Sequence, residues 1–231
     1  METIRKTFEL FASGCPRIDN FTNMPQMEII DVNWEGPIPF IRVVEGDGIS
    51  KSFNGPGVYI WAICIRGRHV AYYVGETGRS IRDRTIEHYK CYVHGEYRIF
   101  DPARLLAEGK ETRPVWGDAY GFRWPKRVDD FLRKSHELLP IMSQFVGLLE
   151  MFVIPFGEPK RVRKRLEAEI HRLCATAKGD LQEQNIDYQF TRSDEQVVQI
   201  HFSQPIPVSG LEDRDRIELA PIKSQQKTDR R

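Results

Sequence analysis

Residues 57–89 read GVYIWAICIRGRHVAYYVGETGRSIRDRTIEHY, and this stretch decides how the rest of the chain is understood. VYIWAICI is a β-branched and aromatic run closed by RGRH, and AYYVG follows as a second run, so the pair predicts a hairpin. The turn GETGR ends the second strand. Ser80, with Asp83 three positions later, forms a capping box with Asp in place of the usual Glu, and it predicts a helix to about Tyr92. Tyr59 and Tyr73 then fall on neighbouring strands, and Arg84 and His88 share one stripe of the following helix. A packed core has use for the tyrosines but little for the cations.

Working outward, residues 95–145 differ in texture. DPARLLAEG and PKRVDDFLRKSHELL predict two short helices around the aromatic loop RPVWGDAYGFRW, and the segment is read as an insertion. VGLLEMFVIPF, 146–156, resumes an apolar strand pattern, and Pro159 suits the first turn of a helix over about 159–177, where its missing N–H costs nothing. That helix carries Val162, Leu166, Ile170, Leu173, Cys174 and Ala177 at three- and four-residue spacing, a stripe made to lie on a sheet. Arg163, Glu167 and His171 share a flanking stripe. Lys160, Arg161, Arg163, Lys164, Arg165 and Arg172 stand against two carboxylates, which makes this helix the strongest local positive feature.

Beyond it, YQF and QVVQIHF suggest a last hairpin, and LEDRDRIELAPIKSQQKTDRR predicts a mobile tail. Before the opening stretch, residues 3–12 suggest a short helix, and MEIID and PFIRVV suggest strands around the turn signal WEGP. The expected organisation is an N-terminal extension (1–50), a core domain (51–186) with the insertion 95–145, a hairpin (187–210) and a tail (211–231). The fold class is α+β: a small antiparallel or mixed central sheet flanked by helices, with a helical insertion.

Composition narrows the function. With 231 residues, 40% of them hydrophobic, the chain can bury an ordinary core. A formal net charge of +1 means that any nucleic-acid partner would be met by a local basic patch. Cys15, Cys64, Cys91 and Cys174 form no CxxC pair, which argues against a zinc ribbon, and Cys64 and Cys174 read as small core residues of a reducing compartment. With no long apolar run, a cytoplasmic protein without membrane contact is expected. No GxGxxG or GxxxxGK[ST] phosphate loop is present.

The order of these motifs resembles the GIY-YIG nuclease superfamily: GVY at 57–59, YVG at 73–75, an arginine and a histidine on the next helix and a glutamate on a later one. The resemblance covers 55–92 and 146–186. It implies that Tyr59 and Tyr73 are the tyrosines of the two motifs, Arg84 and His88 the helix pair, Glu167 the metal-binding glutamate and Asn185 the asparagine that commonly follows that helix. Glu76 stands where the family often has lysine, so a cation there must come from elsewhere, from Arg79 or Arg82.

The implied activity is hydrolysis of DNA phosphodiester bonds by a metal-dependent endonuclease of restriction type. Glu167 would bind one Mg²⁺ or Mn²⁺, Arg84 would clamp phosphate oxygens, and Tyr59 would be the general base despite a usual pKa of about 10. Tyr73 would orient phosphate or water and His88 would assist proton transfer. Arg79, Arg82, Lys160, Arg163 and Lys164 are the candidate DNA contacts, and a homodimer would explain cutting of both strands. A repair or mobile-element nuclease, a non-catalytic DNA-binding module on the same fold, and a protein-binding adaptor are the alternatives. Taken singly, each residue has a plainer reading: tyrosines in a core, Arg84 and His88 on a solvated helix face, Glu167 as an i,i+4 partner of Arg163 or His171, Asn185 in a turn, Trp116, Tyr120, Phe122 and Trp124 in a satellite core.

Overall fold

A computed structural model describes residues 27–109, 113–117, 125–177 and 195–220. In chain order the elements are β1 (Glu28–Val32), β2 (Glu35–Pro39), α1 (Phe40–Glu45), a 3₁₀ turn (Lys51–Asn54), β3 (Gly57–Ile65), β4 (Arg68–Thr77), α2 (Ile81–Val93), α3 (Pro102–Glu108), α4 (Pro125–Arg133), α5 (Ser135–Gly147), β5 (Leu149–Pro155), α6 (Lys160–Thr176), β6 (Val198–Phe202) and β7 (Arg216–Leu219). The architecture is α+β, with a four-stranded antiparallel sheet in the order β2-β5-β3-β4 and a three-stranded mixed sheet in the order β1-β6-β7.

The hairpin β3–β4 forms because its turn residues accept the backbone that a two-residue connection demands. Arg66 and Gly67 both have positive φ, 51° and 78°, which matches the right-handed twist of the strands they join. β5 then docks on the other edge of β3, making β3 central and buried along nearly its whole length. One face of the sheet, with Tyr59, Trp61, Ile63 and Met151, packs against α1, α2 and the helices of 95–147. The opposite face, with Val58, Ile60, Ala62, Phe152 and Ile154, packs against α6 and the three-stranded sheet.

Several expectations change here. PFIRVV forms the helix α1 instead of a strand, because Phe40 and Val43, one helical turn apart, both reach zero exposure in the core, and packing outweighs β-branched propensity. PKRVDDFLRKSHELL breaks at Lys134 into α4 and α5, and α5 runs on to Gly147, so β5 begins later than the apolar pattern suggested. The segment assigned to an N-terminal extension is woven into the fold from Glu28, since β1 pairs with β6 and β2 with β5. The mobile tail is likewise displaced: Leu211, Ile217 and Leu219 are buried, and β7 supplies the second arm of the hairpin with β6. Cys174 is buried as expected, but Cys64 is exposed on β3. The helix proposed at 3–12, Cys15 and the strand YQF lie outside the described residues. No described helix is long and apolar enough to cross a membrane.

Candidate active site

Alternation along β3 sends Tyr59 and Trp61 to one face and Val58 and Ile60 to the other. A bulge in β4 opposite Trp61 and Ala62 adds a residue, so Tyr72 and Tyr73 both turn to the Tyr59 face although they are adjacent in sequence. The Tyr73 ring lies 4.7 Å from Trp61 and 6.1 Å from Tyr59. Gly75 sits directly across from Tyr59, and a Cβ there would come within 2.6 Å of the Tyr59 hydroxyl. The glycine of YVG is therefore a space requirement: its bare backbone lets the phenol reach the edge of the sheet.

The helix α2 begins as its sequence predicts, with the Ser80 side chain accepting from the Asp83 N–H at 3.0 Å. Its buried stripe is Ile81, Thr85, His88 and Tyr92, so His88 points at the sheet and is only 2% exposed. His88 Nε2 lies 3.0 Å from the Tyr59 hydroxyl, and Nδ1 lies 2.6 Å from the hydroxyl of Tyr97. Burial, reinforced by the charge of Arg84, pushes the His88 pKa down to about 3, so the ring is neutral near pH 7. Arg84, one turn earlier, lies near enough to Tyr59 to favour its phenolate and donates to Glu87 at 3.0 Å, while Arg79 donates to the same carboxylate at 2.6 Å. Burial works against the Arg84 charge, but Tyr59 and Glu87 outweigh it and hold the guanidinium firmly protonated.

Tyr59 is 1% exposed, and its phenol is raised well above its ordinary pKa by burial and by Tyr73. Arg84 opposes that shift and the carboxylate of Glu167 adds to it. Glu167 thus lies close enough to be felt at Tyr59, although α6 packs on the opposite face of the sheet. The reason is that β4 is an edge strand, and Glu167 stands near Glu76 on it. Burial raises the Glu167 pKa to about 7, with Lys164 and Arg163 pulling it down and Glu76 pushing it up.

Outside this edge a cleft of about 400 Å³ is lined by Glu76, Thr77, Gly78, Arg79, Arg84, Lys160 and Arg163. The Glu76 side chain, one residue beyond Gly75, turns toward α6, where Arg163 donates to it at 2.8 Å and the Lys164 ammonium stands 3.5 Å away. The acid at position 76 is accordingly paired with basic residues from α6.

Of the residues picked from sequence, Tyr59, Tyr73, Arg84 and His88 gather around one buried hydroxyl, and Glu167 is near enough to raise its pKa. Asn185 lies outside the described residues, as do Tyr120, Phe122 and Trp124. Arg79, Lys160 and Arg163 line the cleft. Arg82 does not: its guanidinium donates to the Glu45 carbonyl at the end of α1. The positive character expected of α6 is largely consumed within the protein, because Arg161 pairs with Glu195, Arg165 donates to the carbonyls of Gln196 and Leu219, and Arg172 pairs with Glu169. Among the described residues, Lys160 has no hydrogen-bonded or ion-paired partner and keeps its charge for the cleft. Trp116 takes the satellite-core reading, donating to the Gly95 carbonyl at 2.7 Å and packing 5.3 Å from Phe131.

Sequence reasoning missed Tyr97 and Glu87. Glu87 was visible as the i+3 neighbour of Arg84. Tyr97 gave no signal, because a turn at Gly95, and not helical spacing, returns it to His88. Among the described residues no three His, Cys, Asp or Glu side chains converge as a metal cage. The donor set is one desolvated carboxylate whose charge is only partly compensated, which suits a Mg²⁺ or Mn²⁺ ion that takes few protein ligands and keeps its waters. The chain matches no protein-family model, no curated protein and no solved structure.

Proposed function

We propose that this protein is a metal-dependent endonuclease of the GIY-YIG kind that hydrolyses DNA phosphodiester bonds. The observation that carries the reading is the buried Tyr59 hydroxyl bonded to His88, with Gly75 leaving room for the phenol, Arg84 of the same helix lining the adjoining cleft, and Glu167 of a separate helix near enough to act on Tyr59. A solvated helix face gives no reason for a histidine one turn from that arginine to be buried against a phenol.

In this reading Arg84, partly exposed in the cleft, binds the phosphate through its planar fork and neutralises charge developing on it. Glu87 and Arg79 hold Arg84 in place. Lys160 meets a neighbouring backbone phosphate. Tyr59 takes the proton of the attacking water, with Arg84 stabilising its phenolate, and Tyr73 walls the site and orients water or phosphate. Glu167 would hold a divalent cation, which supplies positive charge for the leaving oxygen and offsets the carboxylate that disfavours the Tyr59 phenolate.

Incubation of supercoiled plasmid with the protein and Mg²⁺ or Mn²⁺ tests this. Nicked or linear product is expected, and is lost in Glu167→Ala. Absence of cleavage above background with either metal overturns the reading.

A further inference from the structure

We propose that Tyr97 is a positioning residue that sets the tautomer of His88 and extends a proton path outward from Tyr59. The inference rests on Tyr59 being the base of the proposed reaction. Its ground is the pair of hydrogen bonds that hold the His88 ring between two phenols: Tyr59 to His88 Nε2 at 3.0 Å and His88 Nδ1 to Tyr97 at 2.6 Å.

The direction of each bond follows from donor and acceptor chemistry. Tyr59 serves as the base only once its own hydrogen has gone to an acceptor, and the acceptor beside it is His88 Nε2. A neutral imidazole carries one N–H, which must then sit on Nδ1 and donate to the Tyr97 oxygen. His88 faces Tyr59, Tyr73, Arg84, Glu87 and Tyr97, and the nearby Arg84 cation together with burial makes an imidazolium costly. The ring therefore passes a proton on and does not store it.

The transfer balances without an intermediate cation. The Tyr59 proton moves to Nε2, the Nδ1 proton moves to the Tyr97 oxygen, and the proton Tyr97 carried leaves to water from that half-buried residue. Tyr59 is left as phenolate, now accepting from Nε2–H, and His88 has exchanged one tautomer for the other. Without the Tyr97 hydroxyl the Nδ1 proton has nowhere to go, and the exchange stops.

The test uses ¹⁵N-histidine labelling of the full chain, with the His88 resonances assigned by His88→Gln. Wild-type protein is expected to show Nδ1 protonated and Nε2 bare, and Tyr97→Phe to move the ring toward the Nε2–H form. A wild-type ring already in the Nε2–H form, or a tautomer unmoved by Tyr97→Phe, overturns the proposal, and neither result depends on metal or DNA. In single-turnover cleavage, Tyr97→Phe should lower the rate about 100-fold with DNA affinity unchanged, and the loss should shrink as pH rises and hydroxide takes the proton directly. Equal rates for wild type and Tyr97→Phe at every pH overturn the proton path. If the wild type cleaves nothing, the nuclease reading fails and the tautomer measurement alone decides the role of Tyr97.

Discussion

The two faces of the four-stranded sheet are built from alternate residues of the same strands, yet they perform different work. The face toward α6 is dry: Val58, Ile60, Phe152 and Ile154 are fully or almost fully buried among apolar side chains. The face toward α2 is equally buried but holds Tyr59, His88 and Thr85 in hydrogen bonds. Both exclude water, so burial alone does not mark the site. What marks it is that polar groups accept the cost of desolvation at one strand edge, where Gly75 leaves room for them.

The sharpest way to separate the faces is at Glu167. Glu167→Gln should lower cleavage by about 10³-fold, measured on supercoiled plasmid, while making the protein more stable at pH 8. The folded-state pKa, about 7, lies above the ordinary 4.5, so the native protein holds the extra proton between those values and wild-type stability falls as pH rises through that window. Glutamine removes the cost, so thermal denaturation should show a Tm gain of a few degrees at pH 8 that vanishes near pH 4.5. The same ionisation predicts cleavage rising with pH through about 7.

On the dry face, Phe152→Ala should cost about 3–5 kcal/mol by denaturant titration, yet leave cleavage within a few-fold at temperatures where the variant is folded. A selective loss of activity there would show that the faces are coupled. Gly75→Ala sits between the two regions. Its methyl would displace the Tyr59 hydroxyl, so a rate loss of about 10²-fold with a stability cost of about 1–3 kcal/mol is expected. The smallest effect belongs to Lys160→Ala, which should weaken DNA binding uniformly and lower the slope of log affinity against log salt by about one.

The hairpin, the Ser80 cap and the helix carrying Arg84 and His88 were legible because each is governed by neighbours within a few residues: turn chemistry, β-branching and a side chain accepting an N–H three positions on. The stripe of α6 was legible for the same reason, since period fixes which residues share a face. PFIRVV misled because its propensity was outvoted by the cavity that Phe40 and Val43 fill. The cations of α6 misled in another way. A count of charges is local, but the partners that consume them, Glu76, Glu195 and the carbonyls of Gln196 and Leu219, arrive from distant strands and loops.

By itself the sequence determined the alternation of β3 and the start of α2, because those follow from residue period and capping, while the candidates Tyr59, Tyr73, Arg84, His88 and Glu167 came from a resemblance in the order of the motifs. Only the tertiary structure decided that His88 is buried against Tyr59, that Tyr72 and Tyr73 share a face through a bulge, and that Tyr97 returns to His88. Those are contacts between residues far apart along the chain or out of register with its period, set by how the elements pack.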